Sequence, residues 1–162
     1  MGARVGLGFD VHPFGGDGPL ILAGVVIEGG PGLKGHSDAD VVCHAVTDAV
    51  LGAAGLGDIG EHFPDTDPRW KDANSVSLLR HAVSLLGARR VVNVDCSVVL
   101  EAPRLAPYKQ EMAAVLSEAV RGAPVSVKAK RAEGLGAIGR GEGIACWAVA
   151  LIEDDDRGRQ DD

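Results

Sequence analysis

"RVGLGFDVH", residues 4–12, alternates Val5, Leu7, Phe9 and Val11 with Arg4, Gly6, Gly8, Asp10 and His12. A period of two predicts a strand with one apolar face. Asp10 and His12 share its other face, roughly 7 Å apart at the backbone. From there a carboxylate oxygen and an imidazole nitrogen can converge on one cation, at about 2 Å each. The same spacing also serves an Asp–His hydrogen bond at a strand end.

Outward from this strand, "PLILAGVVIEGG" (19–30) reads as a hairpin or short strand pair. "GHSDADVVCHAVTDAVLGAAG" (35–55) changes to helical spacing, with Ser37 or Asp38 as the expected N-cap. Val42, Ala45, Val46, Ala49 and Val50 form its apolar stripe, and Asp40, His44 and Asp48 a polar one. "GDIGEHFPDTDPRWKDA" (57–73) reads as a long loop of the kind that carries function. "NSVSLLRHAVSLLG" (74–87) predicts a helix capped by Asn74 or Ser75, and "RRVVNVDCSVVLE" (89–101) a strand. "PYKQEMAAVLSEAVRG" (107–122) predicts a helix with Pro107 near its start. "PVSVKAKR" (124–131) and "GIACWAVALIE" (143–153) predict two more strands, joined by the glycine-rich loop "AEGLGAIGRGEG". Strands and helices mix without a regular βαβα alternation. The expected class is therefore α+β: one domain over 1–153, a mixed sheet with helices on one face, then an acidic disordered tail over 154–162.

A length of 162 residues suits one domain with a sizeable core. With three Phe, two Trp and one Tyr, that core must be built mainly from aliphatic side chains. The net charge of −7 and the absence of a Lys/Arg cluster argue against nucleic acid as a partner. An acidic chain that handles phosphates needs metal ions or a local basic pocket. Cys43, Cys96 and Cys146 are far apart and odd in number, which suggests free thiols in a reducing compartment. No apolar run is long enough to span a bilayer and no signal peptide precedes the first strand, so a cytoplasmic protein is expected.

A catalytic zinc needs a third protein ligand beside Asp10 and His12, and an open position. His36, His44, His62 and His81 are the candidates, and spacing does not choose among them. The "HSDAD" cluster also reads as a helix cap with acids that suit the helix dipole. The loop over 132–143 suits phosphate and metal contacts, or a plain connection between strands.

Taken together, "GFDVHPF", "GHSDADVVCHAVTDAVLGAAGLGDIGEHFPDTDP", "VNVDCSVVLEAPRLAPY" and "EGLGAIGRGEGIA" resemble the 2-C-methyl-D-erythritol 2,4-cyclodiphosphate synthase family of the non-mevalonate isoprenoid pathway. The resemblance runs in order from about Arg4 to Ile152. It implies a homotrimeric α+β lyase acting on phosphorus–oxygen bonds. The enzyme would cyclise 4-diphosphocytidyl-2-C-methyl-D-erythritol 2-phosphate and release CMP. It implies zinc on Asp10, His12 and His44, and a second ion, Mg2+ or Mn2+, held by Glu133 across the substrate phosphates. His36 and Ser37 would position phosphate. Asp58 would lie near the methylerythritol hydroxyls and Asp65 in the loop that covers that pocket, with Ile59, Gly60, Phe63, Pro64 and Asp67 as further substrate-binding residues, and Ala102, Pro103 and Leu105 would form the cytosine pocket. His36, Asp58 and Glu133 are the implied catalytic residues, and Asp10 and His12 would also meet substrate. Arg140, with Glu142, would lie near a central cavity where prenyl diphosphates are proposed to sit. Two departures stand out. Lys130, Arg131 and Ala132 replace a threonine run common before the metal-binding acid, so Lys130 or Arg131 is expected to contact phosphate by charge. Ala137 stands where a bulkier apolar residue is common, which makes binding in the cavity less secure. A metal-dependent phosphohydrolase, or a non-enzymatic trimeric binder of prenyl diphosphates, would share the same D-x-H strand.

Overall fold

A computed structural model describes residues 2–154. Five strands form one sheet in the order β2-β1-β5-β3-β4. They are β1 (Arg4–Leu22), β2 (Val25–Leu33), β3 (Arg89–Val99), β4 (Val125–Lys130) and β5 (Gly143–Asp154). The β3–β4 pair is parallel and the other pairs are antiparallel, so the sheet is mixed as expected. The helices are α1 (Val41–Ala54), α2 (Ile59–His62), α3 (Ser75–Ser84), α4 (Lys109–Ala119) and α5 (Gly136–Gly139). Strand β5 extends through Asp154, one residue into the expected tail, and the remainder of that tail lies outside the described residues. Among the described residues, no helix is long and apolar enough to cross a membrane.

The β1–β2 hairpin turns at Ala23 and Gly24, inside the 19–30 stretch, and β1 runs into it without a break. The N-cap of α1 is Asp40, not Ser37 or Asp38. Ser37 and Ala39 both have positive φ, so the chain is still turning there and the helix starts later. Asp40 is fully buried and accepts hydrogen bonds from Val42 and Cys43 at the helix start. The same carboxylate also accepts from Ala23 and Gly24, which pins the hairpin turn to α1. The 57–73 loop is more ordered than expected: α2 and a 3-10 turn, Pro68–Trp70, interrupt it. Their N-caps are Asp58 and Asp67, short acids that satisfy the first free N–H groups. Asn74 caps α3, and α4 begins two residues after Pro107. The glycine-rich loop contains α5.

Along residues 4–12 of β1 the alternation holds, and the apolar face is the exposed one: Val5, Leu7, Phe9 and Val11 all face away from the chain's own core. The buried positions of this stretch are Gly6 and Gly8, against which α1 packs backbone to backbone. A Cβ on Gly8 would lie 1.8 Å from the Ala45 carbonyl oxygen, and one on Gly6 1.9 Å from that of Ala49. Only glycine lets the helix come this close, and the approach brings His44 over Asp10 and His12. Gly8→Ala should therefore displace α1 and cost about 1–3 kcal/mol or more by overpacking. Urea unfolding checks this, and a stability equal to the parent protein would refute the close-packing account.

The helical side of the sheet holds the core, from Leu20, Leu22 and Ile27 through Val42, Val46 and Val50 to Ile144, Ala148 and Ile152. All three cysteines are free and buried there, and burial pushes the Cys96 thiol up to about 12.

Candidate metal centre and substrate cleft

Three ligand atoms converge where the end of the Asp10–His12 segment meets the first turn of α1. Asp10 Oδ2 lies 2.9 Å from His12 Nε2 and 3.0 Å from His44 Nδ1. The two ring nitrogens are 3.2 Å apart. In a tetrahedral zinc site with bonds near 2.0–2.1 Å, neighbouring ligand atoms sit about 3.3 Å apart. The triangle matches one face of that tetrahedron, and its carboxylate and two imidazoles are donors zinc accepts. This Asp-His-His group is the one set of metal-ligating side chains that gathers among the described residues. Of the four candidate histidines, the fold therefore selects His44. His62 instead hydrogen-bonds the Leu56 carbonyl at 2.7 Å, and His81 stacks edge-on against Phe63.

The outer nitrogens of both ligands are held. His12 Nδ1 donates to the Lys34 carbonyl oxygen at 2.9 Å. His44 Nε2 meets the hydroxyls of Ser75 at 2.9 Å and Ser37 at 3.1 Å. Ser75 in turn hydrogen-bonds Asp38. Reading the sequence did not single out Asp38 and Ser75 for this role. The two are brought together only by the fold, so no local spacing signals them.

Burial pushes the Asp10 carboxyl up, but hydrogen bonds and charge from His12 and His44 outweigh it and hold the group at about 2. Burial likewise pushes His12 down, and the bond to Asp10 with its charge more than reverses this, leaving His12 above its ordinary 6.5. In metal-free protein the Asp10 share of stability is present above 3.8 and lost as pH falls through about 2. The His12 share is complete below 6.5 and lost as pH rises through its raised value. The pair therefore stabilises metal-free protein most between those two ordinary values. Chelator-treated protein should melt highest in that window, and Asp10→Asn should remove the maximum. Zinc reverses the alkaline limb, because it requires His12 without its proton.

A cleft of about 280 Å³ opens beside the triangle, lined by His12, His36, Ser37, His44 and, from the 57–73 segment, Ile59, Gly60, Phe63, Asp65 and Trp70. Its mouth holds His36 and Asp65, 3.7 Å apart and both well exposed. Asp58 caps α2 at one end, and Asp48 accepts from the Ile59 N–H at 2.7 Å, fixing that end to α1. Asp67 is tied to Arg69. The remaining implied residues lie elsewhere. Pro103, Leu105 and Arg131 line a second cleft of about 170 Å³. Ala102 and Arg140 line a third, together with Pro103. Arg131 is already engaged, donating to Glu101 Oε1 at 2.5 and 3.1 Å. Glu133 sits at positive φ on the adjoining turn, and Arg140 pairs with Glu142 at 2.6 Å.

Known proteins resemble the chain in both sequence and fold. The family model described as "YgbB family" matches residues 3–153. The 2-C-methyl-D-erythritol 2,4-cyclodiphosphate synthase of Geobacillus kaustophilus is 55% identical over 155 residues, 93% of this chain and 98% of that one. The bifunctional enzyme IspD/IspF of Chelativorans sp. is 54% identical, and the match covers 38% of its length. Among solved structures, the bifunctional IspDF of Campylobacter jejuni superposes with a TM-score of 0.91 at 44% identity, over 96% of this chain and 44% of that one. A CDP-bound form of 2C-methyl-D-erythritol-2,4-cyclodiphosphate synthase superposes at 0.83 and 36% identity, over 93% of this chain and all of that one. On the family match over residues 3–153 and an identity of 55% to the Geobacillus kaustophilus protein, the chain belongs to the YgbB family, the family of the 2-C-methyl-D-erythritol 2,4-cyclodiphosphate synthases.

Proposed function

We propose that the protein is a zinc-dependent, homotrimeric 2-C-methyl-D-erythritol 2,4-cyclodiphosphate synthase of the cytoplasm. The observation that carries this reading is the Asp10–His12–His44 triangle opening onto the cleft lined by His36, Ser37 and the 57–73 segment. Zinc on that triangle and a Mg2+ or Mn2+ ion held by Glu133 would supply Lewis-acid neutralisation of the phosphate charge.

The chain's own groups do the placing. His36 and Ser37 hold phosphate at the cleft mouth. Ile59, Gly60, Phe63 and Asp65 enclose the methylerythritol portion, with Asp58, Pro64 and Asp67 on the same segment. Ala102, Pro103 and Leu105 take the cytosine, with Arg131 near the diphosphate. The two groups of residues line separate clefts in one chain, which supports a site completed by a neighbouring subunit. Arg140 and Glu142 would face the cavity between subunits. The nucleophile is the substrate's own 2-phosphate, so no serine, cysteine or strong base is required. Its oxygen attacks the β-phosphorus as the bond to the α-phosphate oxygen breaks, and CMP leaves with that electron pair. Holding the two phosphates in line makes the step intramolecular.

Product analysis by 31P NMR tests the reading. Metal-loaded protein should convert the cytidine diphosphate substrate to CMP and a cyclic diphosphate in equal amounts. Free phosphate or a linear product would instead identify a phosphohydrolase, and an inert protein would reject both.

A further inference from the structure

We propose that Asp38 and Ser75 form a hydrogen-bond relay that fixes the tautomer and orientation of His44, making them positioning residues for the metal centre. The inference rests on the metal reading of Asp10, His12 and His44 and adds what sets one of those ligands.

Ser75 is fully buried at the first position of α3, yet the helix does not need its hydroxyl, because Asn74 provides the cap by accepting from the Ser77 N–H. The Ser75 hydroxyl faces Asp38 Oδ1 on one side and His44 Nε2, at 2.9 Å, on the other. Its backbone N–H also donates to Asp38 Oδ2 at 3.1 Å, so the carboxylate is anchored from two atoms of one residue.

Proton counting then fixes the direction. A carboxylate can only accept, so the single Ser75 proton points to Asp38. The Ser75 oxygen must therefore accept from His44, which places a proton on Nε2 and, in the neutral ring that a metal ion requires, leaves Nδ1 as the ligand atom. Nδ1 is the atom beside Asp10 Oδ2 and His12 Nε2. For His12 a carbonyl performs the same task unaided, because the Lys34 oxygen can only accept. A serine alone would be ambiguous, since it can donate or accept; Asp38 removes the ambiguity. Ser37 Oγ lies 3.2 Å from Ser75 Oγ and 3.1 Å from His44 Nε2, so it is a second oxygen able to accept the same Nε2 proton.

The test pairs Ser75→Ala, which deletes the hydroxyl, with Asp38→Asn, whose amide can donate to Ser75 and turn its proton toward His44. Zinc affinity is read by competition with a chromogenic chelator, and melting of metal-free protein is read alongside. Both variants should bind zinc about 10–100-fold more weakly, a loss larger than any fall in metal-free melting explains. In the parent protein, 15N NMR of zinc-loaded samples should show His44 protonated on Nε2. Unchanged zinc affinity in the variants, or a parent His44 protonated on Nδ1, would overturn the relay while leaving the metal site standing. A fall in metal-free melting that accounts for the lost affinity would mark the pair as a structural clamp instead. A parent protein that takes up no zinc would remove the metal reading itself.

Discussion

His44→Ala is expected to abolish zinc retention and to lower turnover by about 1,000-fold or more. The size follows from what the imidazole does. It is one of three atoms in a triangle with edges of 2.9–3.2 Å, and two donors alone rarely hold zinc against dilution. Asp10 would lose one of the two groups that hold its carboxyl at about 2, so the deficit extends to the remaining ligands. The substitution itself is mild for the fold, because a helix interior accepts alanine well and His44 retains some exposure. Loss of activity far beyond what a modest fall in metal-free melting explains would therefore report on the site. Metal analysis after dialysis and a steady-state assay check the prediction. Full turnover by a zinc-free His44→Ala protein would remove the metal from the mechanism. His36→Ala should behave differently. His36 lies at the exposed mouth of the cleft, outside the triangle, so zinc should remain bound while substrate handling weakens.

Which parts of this were legible follows from the range of the interactions involved. The D-x-H face of β1 and the periodicity of α1 are local patterns, and both elements form there, although α1 starts later and β1 runs further than the spacing indicates. The third ligand was not legible from spacing, because His44 reaches Asp10 only when α1 docks on the strand, 34 positions away in the chain. Docking at that distance depends on Gly6 and Gly8, which read simply as gaps in an alternation. The cap of α1 was misplaced because Ser37 and Asp38 have the right chemistry but lie in a turn held at positive φ. Asp38 and Ser75 are 37 positions apart and meet only in the fold. The outward direction of the β1 apolar face was hidden for a different reason. Period two tells which residues share a face, and it cannot tell whether that face is covered by the same chain or by another.

That face supplies the second large effect. Val5 and Leu7 are 66% and 67% exposed, and Phe9, Val11, Trp147 and Val149 lie between 41% and 48%. Cross-strand pairing aligns Leu7 with Val149 and Phe9 with Trp147, whose rings are 4.9 Å apart, so the six side chains form one continuous apolar surface. A surface of this kind on a chain of net charge −7 fits burial against copies of itself, which is the homotrimer proposed above. Burying each large side chain is worth about 1.5–3 kcal/mol, repeated in every subunit. Leu7→Glu would place three carboxylates in that apolar contact, where desolvation and mutual repulsion both oppose assembly. The variant should sediment as a monomer and lose about 100-fold or more in activity at assay dilution, because the proposed site is completed only by a neighbouring subunit. Zinc binding should survive, since Asp10, His12 and His44 belong to one chain and point to the opposite side of β1. A Leu7→Glu monomer with full activity would show that one chain encloses the whole substrate, and a Leu7→Glu trimer would show that this sheet face is not the contact between subunits.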